Sequence, residues 1–264
     1  MLDIKGAVAV ITGGYGGIGM AVARSWGEKG GKVVLADMEQ DRLLEAEEKL
    51  RGRGIETVSV VCDVRREKDN QALACYAVEK FGAINLVVPA AGILHDAIFV
   101  QQDSKTGKVK GKMSLLQFET VINTNLVGTF LTVRECLEQM VNLNCKGLLC
   151  LVSSVSAVGI AGQMNYGPSK AGIAVMPKIL TAELFRRKLA QRLRCVAIAP
   201  GLVDTVMVKG IRDDILEKRV AEVPLGRLIE PGEVASFVIE LYRNEALAGE
   251  TFYIHGGQRF GAMG

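Results

Sequence analysis

The sequence predicts an α/β fold: one doubly wound parallel sheet of about seven strands with helices on both faces. Three observations carry that expectation. Short apolar runs alternate evenly with longer segments of helical periodicity along the 264 residues. Most runs are apolar on both faces, as parallel strands are when helices cover the sheet from both sides. The first run, Ala7–Ile11, leads directly into crowded glycines, Thr12-Gly-Gly-Tyr-Gly-Gly-Ile-Gly19, and then into a helical pattern.

In chain order, the strand-like runs span 7–12, 32–37, 56–62, 84–89, 147–153, 193–199 and 250–255, each short and β-branched or Leu-rich. Helical patterns cover 18–29, 40–52, 67–81, 114–142, 167–189, 213–222 and 231–244. Such alternation implies right-handed βαβ units, with a ligand at the carboxyl ends of the strands. Two connections break the rhythm. Residues 95–113 are polar and carry Lys105, Lys108, Lys110 and Lys112, with Gly107 and Gly111 marking a flexible surface excursion. Residues 202–215 are apolar-rich, with Val206, Met207, Val208 and Ile211. Without a linker, repeat or low-complexity segment, residues 1–264 read as a single dinucleotide-binding and catalytic domain with a substrate loop at about 202–222.

Composition narrows the function. Half of the chain, 49%, is hydrophobic, enough for one sizeable core, and a net charge of +3 from 32 basic and 29 acidic residues is too balanced for a nucleic-acid binder. The six cysteines (62, 75, 136, 145, 150 and 195) show no CxxC spacing and the only histidines are His95 and His255, so no metal site is expected and the thiols read as buried and reduced. No apolar stretch approaches the ~20 residues of a membrane span. The start, with Asp3 and Lys5, enters a strand at once and shows no signal peptide, so a soluble cytoplasmic enzyme is expected.

The glycine segment, with Gly13, Tyr15, Gly17, Ile18 and Gly19, suits a pyrophosphate: glycine permits close backbone approach, and the helix that follows offers open N–H groups. Asp37 ends the second strand run, where a carboxylate accepts from both hydroxyls of an adenosine ribose and repels a 2′-phosphate. NAD(H) is therefore preferred over NADP(H), the more so because neither Arg24 nor Arg42 stands in that acid's place. Asp63-Val64 closes the third run; its carboxylate can meet an adenine amino group or cap the next helix.

Downstream, Tyr166 and Lys170 are four residues apart and share a helix face. A neighbouring ammonium and a cationic nicotinamide ring both favour phenolate and would lower the phenol's pKa, so the phenol can exchange a proton with a carbonyl oxygen. Leu151-Val-Ser-Ser-Val155 supplies a hydroxyl for that oxygen. Asn125 falls inside a long helical pattern, where it can bend the helix and free a carbonyl or simply be satisfied by packing.

Taken in order, the motifs at 12–19, Asp37, Asp63, Ala91-Gly92, Asn125, Ser153-Ser154, Tyr166-x-x-x-Lys170 and Pro200-Gly-Leu-Val-Asp-Thr205 make the chain resemble the short-chain dehydrogenase/reductases, a Rossmann-type family, over nearly its full length. The resemblance implies a catalytic set of Asn125, Ser154, Tyr166 and Lys170. It implies that Ala90, Gly92, Val203 and Thr205 line the cofactor, with Val203 and Thr205 at the nicotinamide carboxamide and Lys170 on its ribose. Counting from Gly147 selects Ser154, while counting back from Tyr166 selects Ser153; the reading taken is Ser154 with a loop one residue shorter. Pro89-Ala90 stands where the family has an Asn pair, which puts local rigidity or cofactor affinity in question; His255 replaces a common Asp and reads as a packing or subunit-contact residue.

Ala91–Asp96, Pro224–Arg227 and Pro231–Ala235 are similar to segments of 3-oxoacyl-thioester reductases and 3-hydroxyacyl dehydrogenases of fatty acid metabolism. The implied substrate is a small molecule, an acyl thioester, with a sugar, polyol or steroid-type alcohol as the alternative and a non-catalytic NAD(H) sensor or scaffold as the reading from another class. The lysines at 105–112 can attract a phosphorylated carrier or merely solvate a loop. Apolar residues on several faces of the long helices, among them Leu126, Phe130, Val133, Leu137, Ile173, Met176, Ile179 and Leu184, imply partner helices and, by resemblance, a homotetramer.

Overall fold

The strands are β1 (Val8–Thr12), β2 (Lys32–Asp37), β3 (Thr57–Val61), β4 (Leu86–Pro89), β5 (Val100–Gln102), β6 (Val109–Lys112), β7 (Gly147–Val152), β8 (Leu193–Pro200) and β9 (Thr251–Ile254), in a computed structural model that describes residues 1–210 and 212–258. Seven of them form one sheet in the order β3-β2-β1-β4-β7-β8-β9, every pairing parallel. β1, β4, β7 and β8 are buried throughout, which is why they read as unbroken apolar runs. Strand order reverses between β1 and β4, so a crevice opens at their carboxyl ends.

Helices cover both faces: α1 (Gly17–Gly27), α2 (Gln40–Arg51), α3 (Glu67–Phe81), α4 (Leu115–Ile122), α5 (Gly128–Asn142), α6 (Tyr166–Arg186), α7 (Val206–Lys209), α8 (Asp213–Ala221) and α9 (Pro231–Arg243). Trp26, Leu43, Leu50, Val234 and Tyr242 of α1, α2 and α9 pack on one face. Trp26 and Tyr242 meet edge to face, with centroids 4.6 Å apart, and the Trp26 indole donates to Ala7 O at 3.1 Å, so a large buried ring keeps its polar atom paired. Leu73, Cys136, Met140, Ile173 and Leu184 of α3, α5 and α6 pack on the other face. Five cysteines are buried free thiols, with Cys62 and Cys150 pushed up to about 12 by burial, whereas Cys75 is exposed, contrary to the expectation for all six.

Two connections differ from expectation. The helical pattern at 114–142 is not continuous: a π-helical turn, Asn123–Val127, separates α4 from α5. The polar stretch at 95–113 holds the antiparallel β5–β6 ribbon rather than an irregular excursion. Its turn is set by Asp103, whose Oδ1 accepts the N–H groups of Lys105 (2.9 Å) and Thr106 (2.8 Å). At its root, Ala97 N–H donates to Gly162 O at 3.1 Å, stitching the ribbon to the segment before α6. The 202–222 segment folds as α7 and α8, and its Ile211 lies outside the described residues. Among the described residues, no helix is long and apolar enough to cross a membrane.

One buried cation ties the far end of the sheet together. Arg194 of β8 donates through Nη1 to the carbonyls of Leu241 (3.1 Å), Asn244 (3.0 Å) and Leu247 (2.6 Å) and through Nη2 to that of Tyr242 (2.7 Å), satisfying the carboxyl end of α9. Arg194→Met orphans these carbonyls and is expected to lower stability by about 3 kcal/mol. Chemical denaturation measures the change, and an unchanged midpoint contradicts the capping role.

Candidate active site

The glycine turn lies at the strand-order reversal. Gly13 has φ +68°, and a Cβ there would come within 2.8 Å of the Ala90 carbonyl and the Ala91 nitrogen; no other residue lets β1 turn so close to the end of β4. At Gly19 a Cβ would lie 2.3 Å from Gly13 O, so α1 begins directly on that turn. The N-cap, Gly16, makes no side-chain cap and the first turn carries no acid, which leaves the positive end of α1, with Gly17 and Ile18, facing the crevice. Across it, Thr205 lies against Gly17, and Ile18, Ala90, Gly92, Val203 and Thr205 line one cleft. The uncapped helix and bare glycine cradle fit a dinucleotide pyrophosphate.

Asp37 stands at the end of β2. Burial raises its pKa, while the Met38 N–H (2.8 Å to Oδ1) and the Tyr15 N–H hold it down. The Tyr15 phenol donates to Glu39 Oε1 at 3.0 Å, and Arg42 lies over the Tyr15 ring and pairs with Glu39 at 3.2 Å. The Asp63 carboxylate accepts Nε and Nη2 of Arg65, which lowers its pKa. The helix-capping role for Asp63 does not hold, because Arg66 occupies the N-cap of α3 without a side-chain cap. Val64 is buried against Gly128, and its carbonyl accepts Asn70 Nδ2 at 2.9 Å.

Pro89-Ala90 is accommodated by strand geometry. β4 pairs with β7 through Leu86 and Val87 and that ladder stops before Pro89, which brings no N–H to it, while Pro89 still pairs with Thr12 of β1. Thr12 then holds the following residues, its carbonyl accepting from Ala90 N–H (3.2 Å) and its Oγ1 from Ala91 N–H (3.3 Å). His255 Nδ1 accepts the Gly257 N–H at 3.1 Å and so shapes the turn after β9.

Asn125, Ser154, Tyr166 and Lys170 converge beside this cradle. Asn125 is fully buried in the π turn; its Oδ1 accepts Ile93 N–H (2.8 Å) and its Nδ2 donates to Ile93 O (3.0 Å). Both alternatives for this residue therefore apply at once: the side chain is satisfied, and the helix is opened around it. Gly92 fills the gap between Asn125 and Lys170, where a Cβ would lie 3.2 Å from Oδ1 and 3.7 Å from Nζ. Lys170 Nζ donates to Val152 O at 2.8 Å and sits 5.6 Å from the Tyr166 ring centroid. Of the two serines, Ser153 donates to Lys170 O at 2.8 Å, whereas Ser154 faces the Tyr166 phenol.

The electrostatics differ from the sequence expectation. Burial pushes the Tyr166 phenol up to about 12, opposed by its hydrogen bond with Ser154, so desolvation outweighs any lowering by the neighbouring ammonium. Burial brings Lys170 down to about 8. The cleft, about 340 Å³, is walled by Leu94, Val155, Ile160, Leu202, Met207 and Val208. Two buried amides that sequence reading missed, Gln163 and Gln258, also line it; only the position of Gln163, three residues before Tyr166, hints at the cleft. Among the described residues no group of three or more His, Cys, Asp or Glu is placed to hold a metal.

The buried ammonium has a stability signature. Below pH 8 the folded chain carries the desolvation cost of Lys170⁺, about 3 kcal/mol for a fall from 10.5 to about 8. Between pH 8 and 10.5 the unfolded chain holds a proton that the folded chain has released, so stability rises with pH across that window. Lys170→Met is therefore expected to melt higher than the wild type at pH 7, with the difference shrinking towards pH 10.5. Paired melting curves check this, and a constant difference refutes it.

Comparison with known proteins agrees with this geometry. A family model described as Enoyl-(Acyl carrier protein) reductase matches residues 13–259. A 3-oxoacyl-[acyl-carrier-protein] reductase of Aquifex aeolicus is 29% identical over 97% of this chain and 98% of its own. An acetoacetyl-CoA reductase of Synechocystis sp. is 30% identical over 97% of each chain, and an uncharacterised oxidoreductase of Mycobacterium bovis is 34% identical over 90% of each. With a glycine cradle at the strand reversal and a match over nearly its full length, the chain belongs to the short-chain dehydrogenase/reductase family of nicotinamide-binding oxidoreductases.

Proposed function

We propose that the protein is an NAD(H)-dependent oxidoreductase that interconverts a secondary alcohol and a ketone, with a 3-hydroxyacyl/3-oxoacyl thioester as substrate. The observation that carries this reading is the convergence of Ser154, Tyr166 and Lys170 on one cleft that opens beside the glycine cradle, with Asn125 buried behind Gly92 at its back. A bound nicotinamide supplies or takes up the hydride. Ser154 orients the substrate oxygen by hydrogen bonding, and Tyr166 gives that oxygen its proton or removes it. The buried Lys170 ammonium favours the phenolate in return, and Asn125 fixes the Ile93 backbone beside it. Asp37 gives the preference for NAD(H), since its carboxylate repels a 2′-phosphate and the nearby Arg42 is already paired with Glu39.

The thioester reading is supported by the printed activities of the relatives, by the apolar walls of the cleft and by the lysines of the β5–β6 ribbon. That ribbon is rooted beside Gln163 on the cleft wall, so its charge favours an anionic carrier arriving there. The 202–222 segment acts as the substrate lid, contributing Met207, Val208, Arg219 and Glu222 to the cleft. The test measures NADH against NADPH consumption with acetoacetyl-coenzyme A. Tyr166→Phe is expected to lose about 1,000-fold in turnover while still binding NADH. Asp37→Ala is expected to narrow the NADH preference by about tenfold or more. Equal turnover by wild type and Tyr166→Phe overturns the mechanism.

We further propose a homotetramer. Between α5 and α6 runs an apolar groove of about 560 Å³ lined by Phe130, Leu137, Met176 and Ile179, of which Phe130 and Ile179 are exposed. Ile173 and Leu184, grouped with them in the sequence reading, are instead buried in the chain's own core, and Val133, also buried, forms part of the groove floor. Light scattering is expected to give four chains, and Ile179→Asp a smaller species; a monomeric wild type refutes the assembly.

A further inference from the structure

Two glutamine side chains in the cleft are buried without full partners. Gln258 is 3% exposed, and its Oε1 has no hydrogen-bond partner. Gln163 is 5% exposed, its Nε2 donates to Asp96 Oδ2 at 2.9 Å, and its Oε1 has no partner. The bond to Asp96 fixes the orientation of the Gln163 amide, because a carboxylate accepts only from the nitrogen end. The free end is therefore an acceptor. Both residues line the same cleft as Tyr166.

The placement of Gln258 is built into the backbone. Its N–H donates to His255 O at 3.1 Å, closing a turn whose two central glycines have φ +60° and +87°. Gly201 leaves the space that the amide fills: a Cβ there would lie 3.3 Å from Gln258 Oε1. An apolar side chain of similar size would occupy that space without burying an unpaired polar atom, which is costly in a closed site. The cleft thus carries two amide oxygens without partners, that of Gln163 held in its orientation by Asp96.

We propose that Gln258, together with Gln163, sets substrate specificity by accepting hydrogen bonds from a donor that the substrate carries away from its reacting carbonyl. That donor is an N–H or O–H group, found in the amide-bearing arm of a pantetheine thioester or among the hydroxyls of a sugar, and missing from a plain apolar ketone. The inference rests on the ketone-reductase reading above and deepens it. A site built to pair with such a group rejects an analogue lacking it far more strongly than a missing methylene would be rejected.

The test uses the full chain with NADH and three ketones: acetoacetyl-pantetheine, ethyl acetoacetate and fructose. The wild type is expected to favour a donor-bearing ketone over ethyl acetoacetate by on the order of 100-fold in kcat/KM. Gln258→Leu and, separately, Gln163→Leu are each expected to cut that ratio by about tenfold or more. A response confined to acetoacetyl-pantetheine assigns the donor to the arm amides, and one confined to fructose assigns it to hydroxyls. Ratios unchanged in both variants, with turnover intact, overturn the inference and leave the reductase reading standing. If the wild type reduces no ketone, the reductase reading fails, and the inference is decided by the rise in melting temperature that each ketone gives the NADH complex. Equal rises in wild type and Gln258→Leu then overturn it.

Discussion

Two hydrogen bonds running in opposite directions fasten the N-terminal part of α6 to the end of β7. Lys170 Nζ donates to Val152 O, and the hydroxyl of the next residue, Ser153, donates back to Lys170 O, both at 2.8 Å. Strand and helix are thereby locked in register as well as in contact. Ser154, one step further along β7's exit, then has no choice but to face Tyr166, one turn before Lys170. Asn165 completes the clamp from outside: its Oδ1 accepts Tyr166 N–H at 2.8 Å and its Nδ2 donates to His95 O at 2.8 Å. A misplacement of a fraction of an ångström in this corner would separate the hydroxyl and phenol that act on one oxygen atom.

That corner also explains why the glycines are where they are. Gly92 separates Asn125 from Lys170, and Gly13 lets the end of β1 press on Ala90 and Ala91 just before it. Thr12 then holds Ala90 and Ala91 from the β1 side. The pyrophosphate cradle and the proton-transfer group are therefore not two modules set side by side. They share the short exit of β4, and a shift in one moves the other.

Much of this was legible in the sequence because it rests on local rules. The parallel strands announce themselves by being apolar on both faces, and the observed limits of α3, Glu67–Phe81, coincide with those read from periodicity. Tyr166 and Lys170 share a face simply because they are four apart on a helix. What stayed hidden depends on partners distant in sequence. The π turn at Asn123–Val127 is tied to Ile93, and no helical pattern in 114–142 announces it. The ribbon at 100–112 was missed because lysine, glutamine and glycine give no apolar alternation, its strands being held by a turn around Asp103. Asp63 reads as a candidate cap of the next helix, whereas Arg66 takes that position and Arg65, two residues on from Asp63, folds back onto it. In the chain by itself burial raises the phenol's pKa, and that was hidden because charge proximity is visible in a sequence whereas the depth of burial is not.

The same distinction bears on why such a site is tolerated at all. The cluster holds a desolvated ammonium and a desolvated phenol, and beside them two amides short of partners, each of them a loss to the folded chain taken alone. The seven-stranded core, whose central strands are buried end to end on both faces, is the reservoir against which those losses are set. Two amide oxygens left without partners in one cleft, while a cation such as Arg194 elsewhere has four carbonyl partners, mark a place where the fold gives up stability for recognition.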